Sequence, residues 1–265
     1  MTPYRGTLDG VLMDLAEMRI PVTDDGLLRG DGAFEILRLY GGRPFALQEH
    51  LDRLASSAAG LRLPVDLEAM RADVGALLEA VGAVDAMLRL VVTRGGRRIT
   101  MIEDQPELPA TIALATVTYS PTRILDGVKS LSYAANMLAG RLAREAGADE
   151  ALLLTPHGRV LEAPTSAFFY VLAGDLCTPP LDDHILDSIT RRRVIEVVGA
   201  RERATTRDDL LALDEAFLAS TAREVHPVHA IDAVALAAVP GPATQDAAKR
   251  VRERIAAELG GLPAG

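Results

Sequence analysis

DGVKSLSYAANMLAGRLAREAGADEALLL, residues 126–154, is the stretch on which the reading of this chain turns. Its second half is plain. The apolar spacing predicts a helix from about Ala134 to Glu145, Gly147 stands where a left-handed residue ends a helix, and ALLLT reads as a strand. Its first half carries Lys129, set between an apolar run and the helix start in a segment with almost no other charge. Lysine and arginine together number 28, and only Lys129 and Lys249 are lysine. A generic positive charge in this chain is therefore an arginine. Lysine differs in one chemical respect: its amine can lose a proton and attack a carbonyl, which a guanidinium does not do. Lys249 lies in QDAAKRVRERIAAEL, on the polar face of a surface helix, and has an ordinary explanation. A stray surface lysine is the plain alternative for Lys129.

Whole-chain properties set the frame. A length of 265 residues suffices for one large domain or two moderate ones with a real core. Apolar content of 49% and charged content of 25% fit a soluble globular protein. A net charge of −9 argues against a nucleic-acid partner, which would want a basic face. No apolar run approaches a membrane span, and the opening MTPYRGTLDG lacks an apolar signal core, so cytoplasm is the expected location. The single cysteine, Cys177, excludes an internal disulfide, and the five histidines show no ligand spacing, so no metal site is expected.

Residues 1–46 read as short strands and glycine turns. AFEILRLY (33–40) predicts a strand with Phe34 and Ile36 on one face and Glu35, Leu37 and Leu39 on the other. A helix over 47–59 carries Leu47, Leu51, Leu54 and Ala58 as its apolar stripe, with Arg53 beside it and Glu49 as its ordinary partner. A second helix over 66–81 has Asp66 as N-cap. Strands are expected at 86–93, 99–103 and 110–119, with SPTR (120–123) as a linker. Beyond it, VLEA and AFFYVL read as strands, 188–200 as a helix, EAFLAST as a strand, STAREVHPV as a polar turn, and 245–259 as a closing helix with Ala248, Val251, Ile255 and Leu259 inward. Strands and helices in both halves without regular alternation predict an α+β fold in two lobes: a smaller one over 1–119 and a larger one over 124–265.

Three further features bear on Lys129. Ser188 and Thr190 sit at a helix start, Ser220 and Thr221 at a strand end, and Glu162 stands alone between apolar strands. Each has an ordinary explanation, as a cap or a salt-bridge partner. Together they have another. Helix N-termini and hydroxyl turns bind phosphate, and a carboxylate can hold a proton on a ring nitrogen. A phosphate site, a carbonyl-reactive lysine and such an acid are what pyridoxal 5′-phosphate requires.

The segments 27–54, 128–154, 158–171, 176–180 with 185–197, and 214–228, in that order and spacing, resemble the class IV aminotransferases, fold-type IV pyridoxal phosphate enzymes. That group includes branched-chain and D-amino acid aminotransferases, (R)-amine transaminases and 4-amino-4-deoxychorismate lyases. The resemblance implies that Lys129 is the Schiff-base lysine and proton carrier. It makes Glu162 the acid at the pyridine nitrogen, Arg53 a phosphate ligand, and Tyr133 a contact of the cofactor's 3′-oxygen. Ile189 and Thr190 would give phosphate-binding N–H groups, completed by Ser220 and Thr221. Phe34 and Ala222 would line the substrate side. Arg97 and Arg98, in the RGGRR turn, would hold the substrate carboxylate, against the plain alternative of a solvated basic turn. The partners implied are an amino donor, a 2-oxo acid acceptor and a second copy of the chain in a homodimer.

Departures from the family pattern fall at the substrate side. The usual acid-Gly-Ser/Thr-x-x-Asn reads Glu162-Ala163-Pro164-Thr165-Ser166-Ala167, the glycine before Ile-Thr-Arg is Ser188, and Asp24-Asp25 replaces an acid-Arg pair. The leading expectation is an aminotransferase acting on a D-amino acid or branched-chain type of substrate; Glu35 favours an aminotransferase over a lyase, some of which carry a small hydroxyl residue after the aromatic. The alternatives are aminodeoxychorismate lyase, releasing pyruvate and p-aminobenzoate, and a non-catalytic cofactor-binding protein.

Overall fold

Side-chain alternation in one strand organises the first of two units. The computed structural model describes residues 5–261. Within them, one unit comprises 5–106, 128–133 and 256–261, and the other Glu107–Gly127 with Ala134–Ile255.

The first unit opens with the hairpin of β1 (Arg5–Leu8) and β2 (Val11–Asp14), then a short helix α1 (Asp25–Leu28). β3 (Gly32–Tyr40) follows, with Ala33, Leu37 and Leu39 fully buried on one face and Glu35 buried beside them. Next come β4 (Arg43–Pro44), α2 (Leu47–Gly60), α3 (Leu67–Val81), β5 (Ala86–Thr93) and β6 (Arg98–Glu103). The strands form an antiparallel sheet in the order β2-β1-β6-β5-β3-β4. Leu51, Leu54 and Ala58 of α2 and Met70, Val74 and Leu77 of α3 complete one core with β3 and β5, as the 3.6-residue spacing predicts. Asp66 caps α3, its carboxylate accepting the Ala69 N–H at 2.9 Å.

The second unit holds β7 (Ile112–Thr118), α4 (Ala134–Glu145), β8 (Glu150–Leu154), β9 (Ala167–Leu172), β10 (Asp175–Thr178), α5 (Ile189–Val198), β11 (Arg201–Glu202), β12 (Leu213–Ser220), β13 (Glu224–Ile231) and β14 (Val234–Ala235), with most of α6 (Pro242–Glu258). Its sheet runs β11-β10-β9-β12-β13-β7-β8, with β14 on β13. The β13–β7 and β7–β8 pairings are parallel. Leu152 and Leu154 face one core, while Ala151 and Leu153 face another under Ala139 and Ala143 of α4. Burial on both sides explains why β8 and β9 are continuous apolar runs.

Several expectations are revised. The 110–119 strand, assigned from sequence to the first lobe, is β7 of the second sheet, so the contact boundary falls after Pro106 rather than at the 120–123 linker. Local composition marks a strand without saying which sheet takes it. VLEA forms only isolated bridges, Leu154 to Val160 among them, because its main chain also bonds Thr205. Most of STAREVHPV is not a turn but β13, whose alternate residues His226 and Val228 are buried. In α6 the inward stripe is Thr244, Ala247, Val251 and Ile255, one residue off the expected Ala248.

Candidate active site

Lys129 is pinned through its backbone. Its N–H donates to Ser57 Oγ of α2 at 3.0 Å, and its carbonyl accepts the Phe34 N–H of β3 at 3.1 Å. Ala33 and Ser130 form an antiparallel bridge, and the Leu131 N–H reaches Gly32 O at 2.8 Å. Segment 128–133 thus lies along β3 like a short extra strand. Gly32 permits this approach: a Cβ there would meet Val92 O at 2.4 Å and Leu131 Cδ1 at 2.6 Å. The Lys129 amine sits 4.2 Å from the Phe34 ring centroid and 5.6 Å from that of Tyr133. Those two rings meet edge to face at 5.3 Å. Aromatic faces attract an ammonium. Phe34 and Tyr133 therefore both lie at the lysine.

Arg53 reads differently in three dimensions. Its Nε and Nη2 donate to the two oxygens of Glu35 at 2.7 and 2.8 Å, and His50 meets Glu35 Oε2 at 2.8 Å. Glu35 and His50 are fully buried. Burial by itself raises the Glu35 carboxyl, but the bonds from Arg53 and His50 outweigh it and hold the pKa at about 2. Burial also pulls His50 below its ordinary value, and Glu35 only partly offsets this. The carboxylate fixes the plane of the Arg53 guanidinium. Sequence reading missed this cluster, although a charge on the apolar face of AFEILRLY was its signal. His50, Arg53 and Ser57, spaced three and four apart on α2, form the matching polar stripe.

The arginines of RGGRR are each held by an acid of their own unit. Arg94 makes a two-pronged contact with Asp31 and bonds the carbonyls of Leu61 and Arg62. Arg97 Nη1 donates to Asp9 at 2.6 Å, and Arg98 Nε to Asp73 at 2.5 Å. The bond to Asp73 raises the Arg98 pKa. The plain alternative of a solvated basic turn also misses these pairings. Asp24, where the family pattern has an acid, accepts from Gly26 N, Gly95 N and Thr93 Oγ1, so it ties the same turn down.

In the second unit, Glu162 follows β8's partner segment, its main-chain carbonyl accepting the Leu153 N–H at 2.9 Å. Its Oε1 accepts the Leu186 N–H at 2.9 Å. Tyr119 stands close enough that, after burial, the Glu162 charge raises the phenol's pKa. The altered loop is a tight turn: Ala163 and Ser166 exchange main-chain bonds, and Asn136 of α4 donates its Nδ2 to Pro164 O at 3.1 Å. Ser166 is buried, and its Oγ has no hydrogen-bond partner.

Ser188 caps α5, its Oγ accepting the Arg191 N–H at 3.2 Å. The Ile189 and Thr190 N–H groups precede the first intrahelical bond and point out of the helix's positive end. Ser220 closes β12, and Thr221 and Ala222 lie in the turn before β13, where Arg223 N–H returns to Ser220 O at 3.2 Å. Within the second unit, a fixed carboxylate, two main-chain donors at a helix start, hydroxyl groups and the buried, unpartnered Ser166 Oγ suit a phosphorylated pyridine ring, and the first unit separately presents the Lys129 amine against two aromatic rings. Among the described residues no His, Cys, Asp and Glu group could hold a metal, and no helix is long and apolar enough to cross a membrane.

Comparison with known proteins agrees with this chemistry. The family model for amino-transferase class IV matches residues 32–231. A provisionally named branched-chain-amino-acid aminotransferase of Methanocaldococcus jannaschii is 37% identical over 250 residues, covering 85% of this chain and 87% of the relative. A D-alanine aminotransferase of Bacillus licheniformis is 31% identical over 274 residues, covering 94% and 96%. The crystal structure of a branched-chain aminotransferase from Thermoproteus uzoniensis with norvaline superposes with a TM-score of 0.87 at 31% identity, covering 95% of this chain and 94% of that one.

Proposed function

The chain belongs to the class IV aminotransferase family, and from that premise we propose that it moves an amino group between an amino acid of the D or branched-chain type and a 2-oxo acid, with pyridoxal 5′-phosphate as cofactor. It is an enzyme, and the non-catalytic alternative falls. The lyase alternative is not favoured, since the relatives are named as aminotransferases.

When bound, the cofactor supplies an aldehyde carbon that an amine can attack and an electron-poor ring that draws charge from the substrate's α-carbon. Lys129 would hold it and would move a proton between that α-carbon and the cofactor's C4′. Glu162 keeps the pyridine nitrogen protonated, because opposite charges at short range favour both charged forms. The Leu186 N–H on its Oε1 supports this role by stabilising the carboxylate. Tyr133, beside the Lys129 amine, would contact the 3′-oxygen. Arg53, oriented by Glu35, would be a phosphate ligand, and so, in the second unit, would the Ile189 and Thr190 N–H groups, Ser220 and Thr221. Phe34 and Ala222 bound the substrate. Arg97 and Arg98 remain the candidates for its carboxylate, which would have to compete with Asp9 and Asp73. A cytoplasmic homodimer belongs to the same proposal, with light scattering as its test.

The anchoring of Lys129 between β3 and Ser57, with its amine against two aromatic rings, carries the reading. Borohydride reduction of the yellow protein followed by peptide mapping should fix the cofactor at Lys129. Label on Lys249, or none, defeats it. A donor panel with D- and L-enantiomers kept apart then assigns the substrate.

A further inference from the structure

The turn between β12 and β13 is held from behind by a buried cluster that takes no part in the chemistry above. Arg223, directly after Ser220-Thr221-Ala222, sends Nη2 to Glu150 Oε2 at 3.0 Å and Nη1 to His226 Nδ1 at 3.0 Å. The other ring nitrogen, Nε2, lies 2.7 Å from Pro109 O. Glu150 begins β8 and is nearly buried, its second oxygen accepting its own strand's Ala151 N–H at 3.1 Å. The guanidinium therefore links the turn to the far side of the sheet, beyond β13 and β7.

Donor and acceptor rules fix the state of the histidine. A guanidinium only donates, so Nδ1 must present its lone pair. A carbonyl only accepts, so Nε2 must carry the hydrogen. The cluster is complete only with a neutral His226. A second proton on Nδ1 would face the Arg223 cation inside a site where His226 is 4% exposed.

We propose that Arg223, clamped by Glu150 and neutral His226, is a positioning residue that sets the Ser220–Thr221–Ala222 turn for cofactor phosphate, and that protonation of His226 releases it. The proposal rests on the phosphate role given to that turn. The groups facing His226 are Arg223, the Pro109 carbonyl and the more distant Asp149 charge, with Glu150 behind Arg223. Burial depresses the imidazole, the Pro109 bond opposes this, Arg223 adds to it and Asp149 opposes it, the net shift being downward. The neutral form is thus kept at and above the ordinary imidazole range, about pH 6.5, and the clamp is lost as pH falls through the depressed value.

The test uses the full-length enzyme with Arg223→Ala, His226→Asn and the double variant Ser220→Ala/Thr221→Ala. Hydrogen-exchange protection of the 221–223 amides, corrected for intrinsic rates, reports the clamp. Cofactor dissociation constants across about pH 5 to 8 report its consequence. Asparagine offers Arg223 a carbonyl that does not titrate. The wild type should lose protection and affinity on the acid side. Arg223→Ala should show the loosened turn and about tenfold weaker cofactor binding at every pH. His226→Asn should bind as the neutral wild type does and lose the acid limb. Unchanged protection in Arg223→Ala, or an acid limb that persists in His226→Asn, overturns the clamp. Lost protection with unchanged affinity in both Arg223→Ala and the double hydroxyl variant keeps the clamp but overturns the phosphate role of the turn.

Discussion

Glu35→Gln should be among the most damaging isosteric changes available in the first unit. The carboxylate is fully buried and accepts from Arg53 Nε, Arg53 Nη2 and His50 Nδ1 at 2.7 to 2.8 Å. Glutamine keeps the volume but has one acceptor oxygen, and its NH2 group would face donors. Arg53, whose side chain is only 12% exposed, would lose its two-pronged bond to the buried carboxylate. Removing one partner of a buried pair costs about 3–5 kcal/mol. The depressed carboxyl points the same way: moved from an ordinary 4.5 to about 2 by Arg53 and His50, it is linked to about 3 kcal/mol of folding stability. The lowered pKa also fixes the sign. That stability is present above the unfolded carboxyl range and is lost as pH falls toward about 2. Urea unfolding of the cofactor-free chain at neutral pH, followed by circular dichroism, should show a loss of about 3 kcal/mol or more. Adding Arg53→Met should recover much of it, because the guanidinium that lost the carboxylate goes and the glutamine oxygen still serves His50. A loss below about 1 kcal/mol for Glu35→Gln would refute the reasoning.

Three further outcomes are expected from activity and binding assays. Lys129→Arg keeps the charge and the aromatic contacts but should abolish turnover and the borohydride-fixed label, since a guanidinium does not attack the aldehyde. Glu162→Gln should lower turnover far more than cofactor affinity; an unchanged rate at saturating cofactor would make the residue merely structural. Arg97→Ala and Arg98→Ala, assayed with an amino acid and with a 1-arylethylamine, should lose the amino acid selectively if either binds the carboxylate. Equal losses would mean that they serve only Asp9 and Asp73.

What the sequence disclosed depended on the range over which the physics acts. Helices α2 to α5 were readable because spacing and caps are local: Asp66 and Ser188 cap where the pattern placed them. β3 and β9 were readable because burial on one face or both writes itself into alternation or a continuous run. β7 shows the limit. Its apolar residues suit either sheet, and only parallel partners far along the chain, β8 and β13, decide between them. The RGGRR turn shows the same limit for a site. Three clustered arginines suggest an anion site, but the acids that already hold them could not be read nearby, because Asp9, Asp31 and Asp73 lie far away in sequence.

The polar stripe of α2 joins stability to the candidate chemistry more tightly than the motifs alone suggest. One helix turn buries Leu51 and Leu54 in the core, and the same turn aims His50 and Arg53 at Glu35. One turn later, Ser57 receives the Lys129 N–H while Ala58 continues the apolar stripe. A shift of α2 along its axis therefore moves the arginine and the lysine's anchor together. Rotation about the axis is resisted because Glu35 sits among Ala33, Leu37 and Leu39, where Arg53 and His50 satisfy it. The buried ion pair thus acts as a register pin for α2. Replacing Leu54, which is fully buried in the core, should lower cofactor affinity as well as stability. Leu54→Ala should remove about 2–5 kcal/mol from folding and loosen the cofactor in proportion to the displacement of α2. A variant that loses that stability yet binds cofactor as the wild type does would show that the register is set elsewhere.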